Sequence, residues 1–394
     1  APDAKFLLFT GDFVETGTEQ NSEWEWEQWF EVSMKPLLSR MALAPTDGNH
    51  DDTPNLNYTY HFNTDKTFNE TATVKPQFDG ITYSFVYGDA LFMVYSHQDF
   101  WRGSYSYANG TSTYLSNDVA NWFRDQVEKY PDTKWRIAAV HKNLFTGSGH
   151  QTDEDGALFR ATLLPVFQEL NIDFVIQGHD HIYEVMGPIN NTTKTIVPGS
   201  VTNVELVSPD SNKNPKGQQG GTFNVKDGTL YFVNGTCGRK RYYPYTQDEM
   251  EAGFDKHKVE GYWDLFTGKY GQPGAPAFSE ISVSSSEIEV NTYTSDANAQ
   301  ATLFDTFKIV KSGNTGIEEN KQSAKLYPTY AKDKINTTES DIIQVNAIDL
   351  TGKIYTLPFD NQHIDVSNLT DGIYVVQIFT NEKTRSERIV KTSR

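Results

Sequence analysis

Apolar residues in this chain come in two rhythms. Short unbroken runs, KFLLFT at 5–10, WRIAAV at 135–140 and DFVIQ at 173–177, each end at a glycine or a histidine followed by polar residues. A run of strand length with no alternation predicts a strand buried on both faces of a covered sheet. The stretches 22–39, 115–127 and 158–170 instead space their apolar residues three and four apart, and predict helices. The first of these carries Trp26, Trp29, Phe30, Met34, Leu37 and Leu38 and leads into a short strand predicted at 41–44. Between 83 and 95, YSFVY and ALFMVY flank Gly88-Asp89, which predicts a hairpin and so brings antiparallel strands into the sheet. Further strands are predicted at 229–233, 278–283, 287–293 and 303–310, around an irregular stretch rich in Gly, Asn and Lys. Strand, polar turn and helix in alternation predict an α/β fold whose site lies at strand C-termini.

The rhythm changes once. Residues 312–323 are polar, contain glycine and carry almost no large apolar side chain, which predicts a linker between a first domain at 1–311 and a second at 324–394. In the second, IIQVNAIDL, GKIYTLPF, HIDVS and GIYVVQIF are short, β-branched and separated by Thr-Gly or Asp-Gly turns, which predicts a small all-β sandwich.

Composition narrows the function. The 394 residues suffice for two domains. A net charge of −18, from 34 Lys plus Arg against 52 Asp plus Glu, argues against a nucleic-acid scaffold as partner. The single cysteine, Cys237, excludes an internal disulfide and has no activating partner evident that would make it a nucleophile. No run approaches the roughly 18 apolar residues of a membrane span, and the first residues form no signal peptide.

The polar residues that follow the apolar runs carry the chemistry. They are Asp12 in Gly11-Asp12, Asn49, His50 and Asp51 in GNHD, His141 after WRIAAV, and His179 and His181 in GHDH. A carboxylate can bridge two cations while neutral imidazoles and an amide oxygen complete each shell without accumulating charge, a donor set suited to Zn, Mn or Fe. Two such ions can hold a hydroxide between them and clamp both oxygens of an in-line displacement, so phosphoester hydrolysis is the natural use.

In this order, GD, GNHD, a strand-terminal VH and GHDH resemble the calcineurin-like metallophosphoesterases, including the purple acid phosphatase branch, over residues 1–311. The resemblance implies a four-layer α/β/β/α sandwich and a binuclear centre of two divalent or trivalent ions. It implies that Asp12 bridges the metals, that Asn49, His141 and His179 hold one ion, and that His181 holds the other. It further implies that His50 stands outside the metals and stabilises the transition state or protonates the leaving group, oriented by Asp51. The implied substrate is a small phosphorylated molecule, a phosphomonoester ahead of a diester or nucleotide.

Two departures stand out. The family's first motif, an Asp two residues before a His or its substitute, has no counterpart in the eleven residues before Asp12, so we expect a fragment whose first strand lies upstream of Ala1. Glu15 occupies the place of the metal-binding Tyr of purple acid phosphatases, which argues against a coloured iron centre. A non-catalytic surface binding or adhesion protein that keeps the fold with an incomplete metal site is the alternative.

Three further residues are candidates for substrate binding: His97 after ALFMVY, His150 in the loop GSGHQTDEDG, and Arg239 in the basic cluster GRKR. His61, His257 and His363 read as structural or surface residues. The tail resembles the C-terminal sorting domain of type IX secretion substrates, through KLYPT, DLTGKI, LTDGIYVVQI and ERIVK. That resemblance implies the type IX machinery as a partner, export through the periplasm of certain Gram-negative bacteria, and a secreted or surface-displayed product.

Overall fold

The computed structural model describes residues 3–17, 19, 21–51, 57–64, 81–97, 115–192, 200–207, 220–311, 330–337, 341–360, 363–380 and 384–393. The linker expected at 312–323 lies outside them. The chain divides into two compact units, Ala1–Ser312 and Gly313–Arg394.

In the first unit, β1 (Phe6–Phe9) pairs in parallel with β2 (Ala42–Pro45), in the register Phe6 to Ala42 and Leu8 to Ala44. Between them, residues 23–38 are helical in three pieces: α1 (Glu23–Glu27), a π-helical stretch (Gln28–Met34) and α2 (Lys35–Leu38). Its apolar stripe packs Trp26, Trp29, Phe30, Met34 and Leu38 against Phe9 and Leu43. The GNHD turn therefore follows β2 as the GD turn follows β1, side by side.

The larger sheet has the order β11-β7-β10-β6-β5-β4-β3, with β8 (Val204–Leu206) added to β7. Its middle is parallel: β4 (Ala90–Val94), β5 (Trp135–Val140), β6 (Phe174–Gln177) and β10 (Thr229–Asn234). β3 (Tyr83–Tyr87) joins through the expected hairpin, with Gly88 at φ +58°. β6 is buried along its whole length, as an unalternating run should be. One face carries two helices, Leu115–Lys129 and Glu154–Glu169, over a core that includes Phe123, Phe159, Phe167 and Val175. The other face packs Phe92, Ile137, Phe174 and Phe232 against Phe223, Ile288, Val290 and Phe307. Those last four belong to a second sheet of order β12-β13-β14-β9, formed by Ala277–Val283, Glu287–Ser295, Ala301–Val310 and Thr222–Asn224. Helix, sheet, sheet and helix thus stack as expected. Each fully buried Phe or Leu between the layers contributes about 1.5–3 kcal/mol.

Among the elements that depart from the sequence reading, three bear on the layers around the site. The helix expected from 158 begins at Glu154, with Asp153 extended before it. β7 (Tyr183–Asn191) and β11 (Phe266–Gly271) were not expected as strands. β7 contains Gly187-Pro188, a pair that punctuates structure in a sequence, and Gly187 takes φ +98° there without ending the pairing to β10.

The second unit is built only of strands among the described residues. One sheet runs β15 (Tyr330–Ala331), β21 (Thr384–Lys391), β20 (Gly372–Thr380), β17 (Ile342–Asp349) and β18 (Ile354–Thr356), and a two-stranded sheet pairs β16 (Lys334–Asn336) with β19 (His363–Asp365). Val345, Ala347, Val376 and Ile378 form its core together with Ile335 and Ile364.

Candidate metal centre

The site forms where β1, β2, β5 and β6 end. The turns after β1, β2 and β6 each hold a glycine where an ordinary side chain would not fit. A Cβ on Gly48 would stand 2.1 Å from the backbone nitrogen of Asp12, and one on Gly178 would stand 2.6 Å from the carbonyl oxygen of Thr10. Asp12 and His179 themselves sit in the left-handed region, at φ +55° and +65°. Non-glycine residues held there cost of order 1–3 kcal/mol each, and such strain collects at functional sites.

These turns bring four donors to one point. The Nε2 of His141 lies 3.0 Å from Asn49 Oδ1, 3.2 Å from Asp12 Oδ2 and 3.2 Å from His179 Nδ1. Asp12, His141 and His179 each offer a ligand atom within 4.8 Å of the others. Protons cannot satisfy this cluster, because a carboxylate and an amide oxygen only accept and two facing imidazole nitrogens share at most one hydrogen. A cation fits it, since every atom in the group presents a lone pair. The other nitrogen of His141 meets the Thr10 carbonyl at 2.6 Å, which fixes the ring and leaves Nε2 to the cluster. Burial opposes the charged form of His141, yet Asp12 beside it holds its pKa up. Burial likewise opposes the Asp12 carboxylate, and His141 and His50 hold its pKa well below the ordinary range. A cation here displaces the shared proton.

His181 stands apart from this group. Its Nδ1 meets the Lys240 carbonyl at 2.9 Å and its ring stacks on Tyr242, centroids 4.5 Å apart and planes at 5°. Burial lowers its pKa.

His50 and Asp51 are arranged differently from the expectation. The Nδ1 of His50 meets the Glu15 carbonyl at 2.7 Å, and its backbone N–H donates to Asp12 Oδ1 at 3.1 Å. Asp51 does not orient the His50 ring. Its carboxylate, fully buried, accepts from the backbone nitrogens of Asp12 (2.8 Å), Phe13 (2.7 Å), Val14 (3.2 Å) and Gly48 (2.7 Å). It is the tie between the GD and GNHD turns, because buried N–H groups at two adjacent strand ends need one acceptor that reaches both. Burial and the neighbouring Asp12 push its pKa up to about 7, while those donors pull it back.

Of the three substrate-binding candidates, only His150 meets a ligand loop at the mouth of the site. Its ring lies 3.9 Å from that of His179 and 5.5 Å from Tyr242, and its Nδ1 is 3.6 Å from Asp153 and 3.9 Å from Asp180. His97 does not line the cleft: it is fully buried, 5.5 Å from the His141 ring, and burial drives its pKa well below the usual value. Arg239 is exposed, and its described contact is a carbonyl accepting from Arg241. The next residue, Lys240, is exposed as well, with Nζ 5.6 Å from the Tyr242 ring centroid; burial opposes its charge, and Tyr242, Glu15 and Asp12 raise its pKa. Among the histidines read as structural, His257 is buried between the Met250 carbonyl and the Val259 nitrogen.

Sequence reasoning missed the supports beneath the loops. Asp180 accepts from the Thr146 hydroxyl and Glu184 accepts from Gly147 N at 2.8 Å, both carboxylates being fully buried. Tyr262 and Tyr270 hydroxyls donate to the carbonyls of Thr146 and Gly147 at 2.8 and 2.7 Å. Asp180 lies inside the GHDH motif, so a signal was present; Glu184 and the tyrosines carried none.

Layers, strand-end ligands and supports of this kind define a metallophosphoesterase domain. The chain carries a calcineurin-like phosphoesterase domain, matched over residues 1–183, and a secretion system C-terminal sorting domain, matched over 325–392. It is similar to an uncharacterized protein of Mycobacterium tuberculosis, 25% identical over 206 residues, which are 49% of this chain and 37% of that protein. It is also similar to purple acid phosphatase 5 of Arabidopsis thaliana, 31% identical over 87 residues, or 22% of each chain. The chain thus spans well under half the length of the curated relatives it matches. Among solved structures, purple acid phosphatase from yellow lupin (Lupinus luteus) seeds shares the fold, at a TM-score of 0.50 and 14% identity over 78% of this chain and 47% of that one. No described helix is long and apolar enough to cross a membrane.

Proposed function

We propose that the protein is a metal-dependent phosphoester hydrolase acting on a phosphomonoester, delivered to the cell surface or beyond by its sorting domain through type IX secretion. The observation that carries this reading is the convergence of Asn49, Asp12 and His179 on His141 Nε2 at 3.0–3.2 Å. Asn49, His141 and His179 would hold one cation, His181 another, with Asp12 between them. Two bound cations of the Zn, Mn or Fe type supply charge neutralisation at the phosphoryl group and a water of lowered pKa.

This chain's own residues do the rest. His50, with Nδ1 committed to the Glu15 carbonyl, would pass a proton from Nε2 to the departing oxygen when both ring nitrogens are protonated. Lys240 presents positive charge and His150 a hydrogen-bonding ring at the mouth, where a phosphate dianion enters. Asp51 and the pair Asp180 and Glu184 hold the loops in place, so that these groups meet substrate without reorganisation.

The reading is tested by measuring bound metal and hydrolysis of p-nitrophenyl phosphate in the purified protein and in His179→Ala. The reading expects metal and turnover in the first and loss of both in the second. A protein without metal and without hydrolysis of monoester, diester or nucleotide would instead be a binding protein that keeps the fold. Deleting residues 324–394 in a host with the secretion system is expected to abolish surface delivery, and unchanged delivery would refute that part.

A further inference from the structure

His181 is held less closely by its own strand than His141 is. It follows β6 by several residues and is only half-buried, whereas His141 is 1% exposed. What holds it comes from about sixty residues later, in the strap 237–245 that leaves β10.

That strap is stitched to both histidine loops. Tyr245 N donates to the Gly147 carbonyl at 2.8 Å, and the Ser148 hydroxyl donates to the Tyr243 carbonyl at 2.8 Å. The side-chain amide of Gln272 donates to the carbonyls of both His181 (2.7 Å) and Tyr242 (2.9 Å), so strap and ligand loop share one clip. The Lys240 carbonyl takes the hydrogen of His181 Nδ1, which leaves Nε2 as the nitrogen with a lone pair. Rotation about the broad terminal torsion of the imidazole is opposed by that single hydrogen bond. The Tyr242 ring, parallel to it at 4.5 Å, adds a flat surface that resists the same rotation, and it is itself flanked by His150 at 5.5 Å and by Lys240 Nζ, 5.6 Å from its centroid.

We infer that Tyr242 is a positioning residue for His181, holding the imidazole plane so that Nε2 faces the second cation, and that the strap 237–245 thereby sets the affinity of that position. The inference rests on the metal centre proposed above.

Calorimetric titration of the metal-free protein with Zn²⁺ alone tests it, using wild type, His181→Ala, His141→Ala, Tyr242→Leu and Tyr242→Phe, each checked by thermal melting. Tyr242→Leu is expected to weaken Zn²⁺ binding about 10–100-fold, the effect typical of an outer-shell partner, and in the step that His181→Ala removes. Tyr242→Phe keeps the ring and is expected to stay within about threefold of wild type. Should Tyr242→Leu fail to fold, Gln272→Ala unties the same strap and is expected to weaken the same step. Wild-type affinity in folded Tyr242→Leu, or equal damage in Tyr242→Phe, would overturn the role of Tyr242 while leaving the metal centre standing. A wild type that takes up no Zn²⁺ would remove the metal centre itself.

Discussion

The two halves of the site are built on different principles. Around His141, the donors come from one to four residues beyond a strand end, His141 itself is buried, and strain at Asp12 and His179 is locked by turns that admit no Cβ at Gly48 or Gly178. Around His181, the ligand is half-exposed and its orientation depends on a carbonyl and an aromatic ring carried by a distant strap. The first half is rigid because the sheet is rigid. We expect the second half to be the more adjustable one and its cation the more weakly held, because its strap is not part of a sheet, although it is hydrogen-bonded to both histidine loops and packs Tyr245 against the core.

The contrast makes graded outcomes. His141→Ala removes the nitrogen on which three donors converge, and is expected to lower kcat/KM for p-nitrophenyl phosphate by about three orders of magnitude, equal to about 4 kcal/mol of lost charge stabilisation. An effect below tenfold would mean that the rigid half does not carry the chemistry. Tyr242→Leu, in the adjustable half, should fall well short of that.

Asp51→Ala leaves four backbone N–H groups at the base of the rigid half without their acceptor, and is expected to cost about 3–5 kcal/mol of stability in urea unfolding. Asp51→Asn separates tie from orienter: with the ring of His50 held by Glu15, the basic shape of the rate against pH should survive while stability falls. A changed pH profile at full stability would restore Asp51 as the partner of His50.

A buried acid at the opposite end of the strands serves as a control. Asp173 precedes β6, accepts from Arg136 N and pairs with Lys311 at 2.8 Å. Burial pushes its pKa up to about 6, with Lys311 pulling it back. Because its folded pKa is raised, the folded chain holds the extra proton between about pH 4 and 6, and this contribution is full below about pH 4 and lost as pH rises through 6. Unfolding free energy of wild type relative to Asp173→Asn is therefore expected to fall by roughly 2–3 kcal/mol over that window, with activity affected only through the folded fraction. A flat difference would refute the shift.

These outcomes also mark what the sequence disclosed. Asp12, Asn49, His141 and His179 were legible because each closes an unbroken apolar run, and a buried parallel strand must deliver its next polar residue to the sheet's edge. The helix 22–39 and the hairpin at Gly88 were legible for the same local reason. β7 was hidden by Gly187-Pro188, whose usual meaning was overridden by pairing to β10 and β11. Asp51 was misassigned because its neighbour in sequence is His50, whereas its partners are nitrogens 37 to 39 positions away as well as Gly48. Tyr242 could not be ranked above Arg239, since its place beside the site is decided by contacts to Gln272 and His181 that no local pattern encodes.

The most direct measurement is the metal content of purified protein loaded with Zn²⁺ and dialysed, compared between wild type and His179→Ala. Two ions per chain in wild type, with the tighter one lost in the variant, is the expected result. A wild type that retains no ion, or a variant that retains both, would contradict the assignment of Asp12, Asn49, His141 and His179 as a cation site.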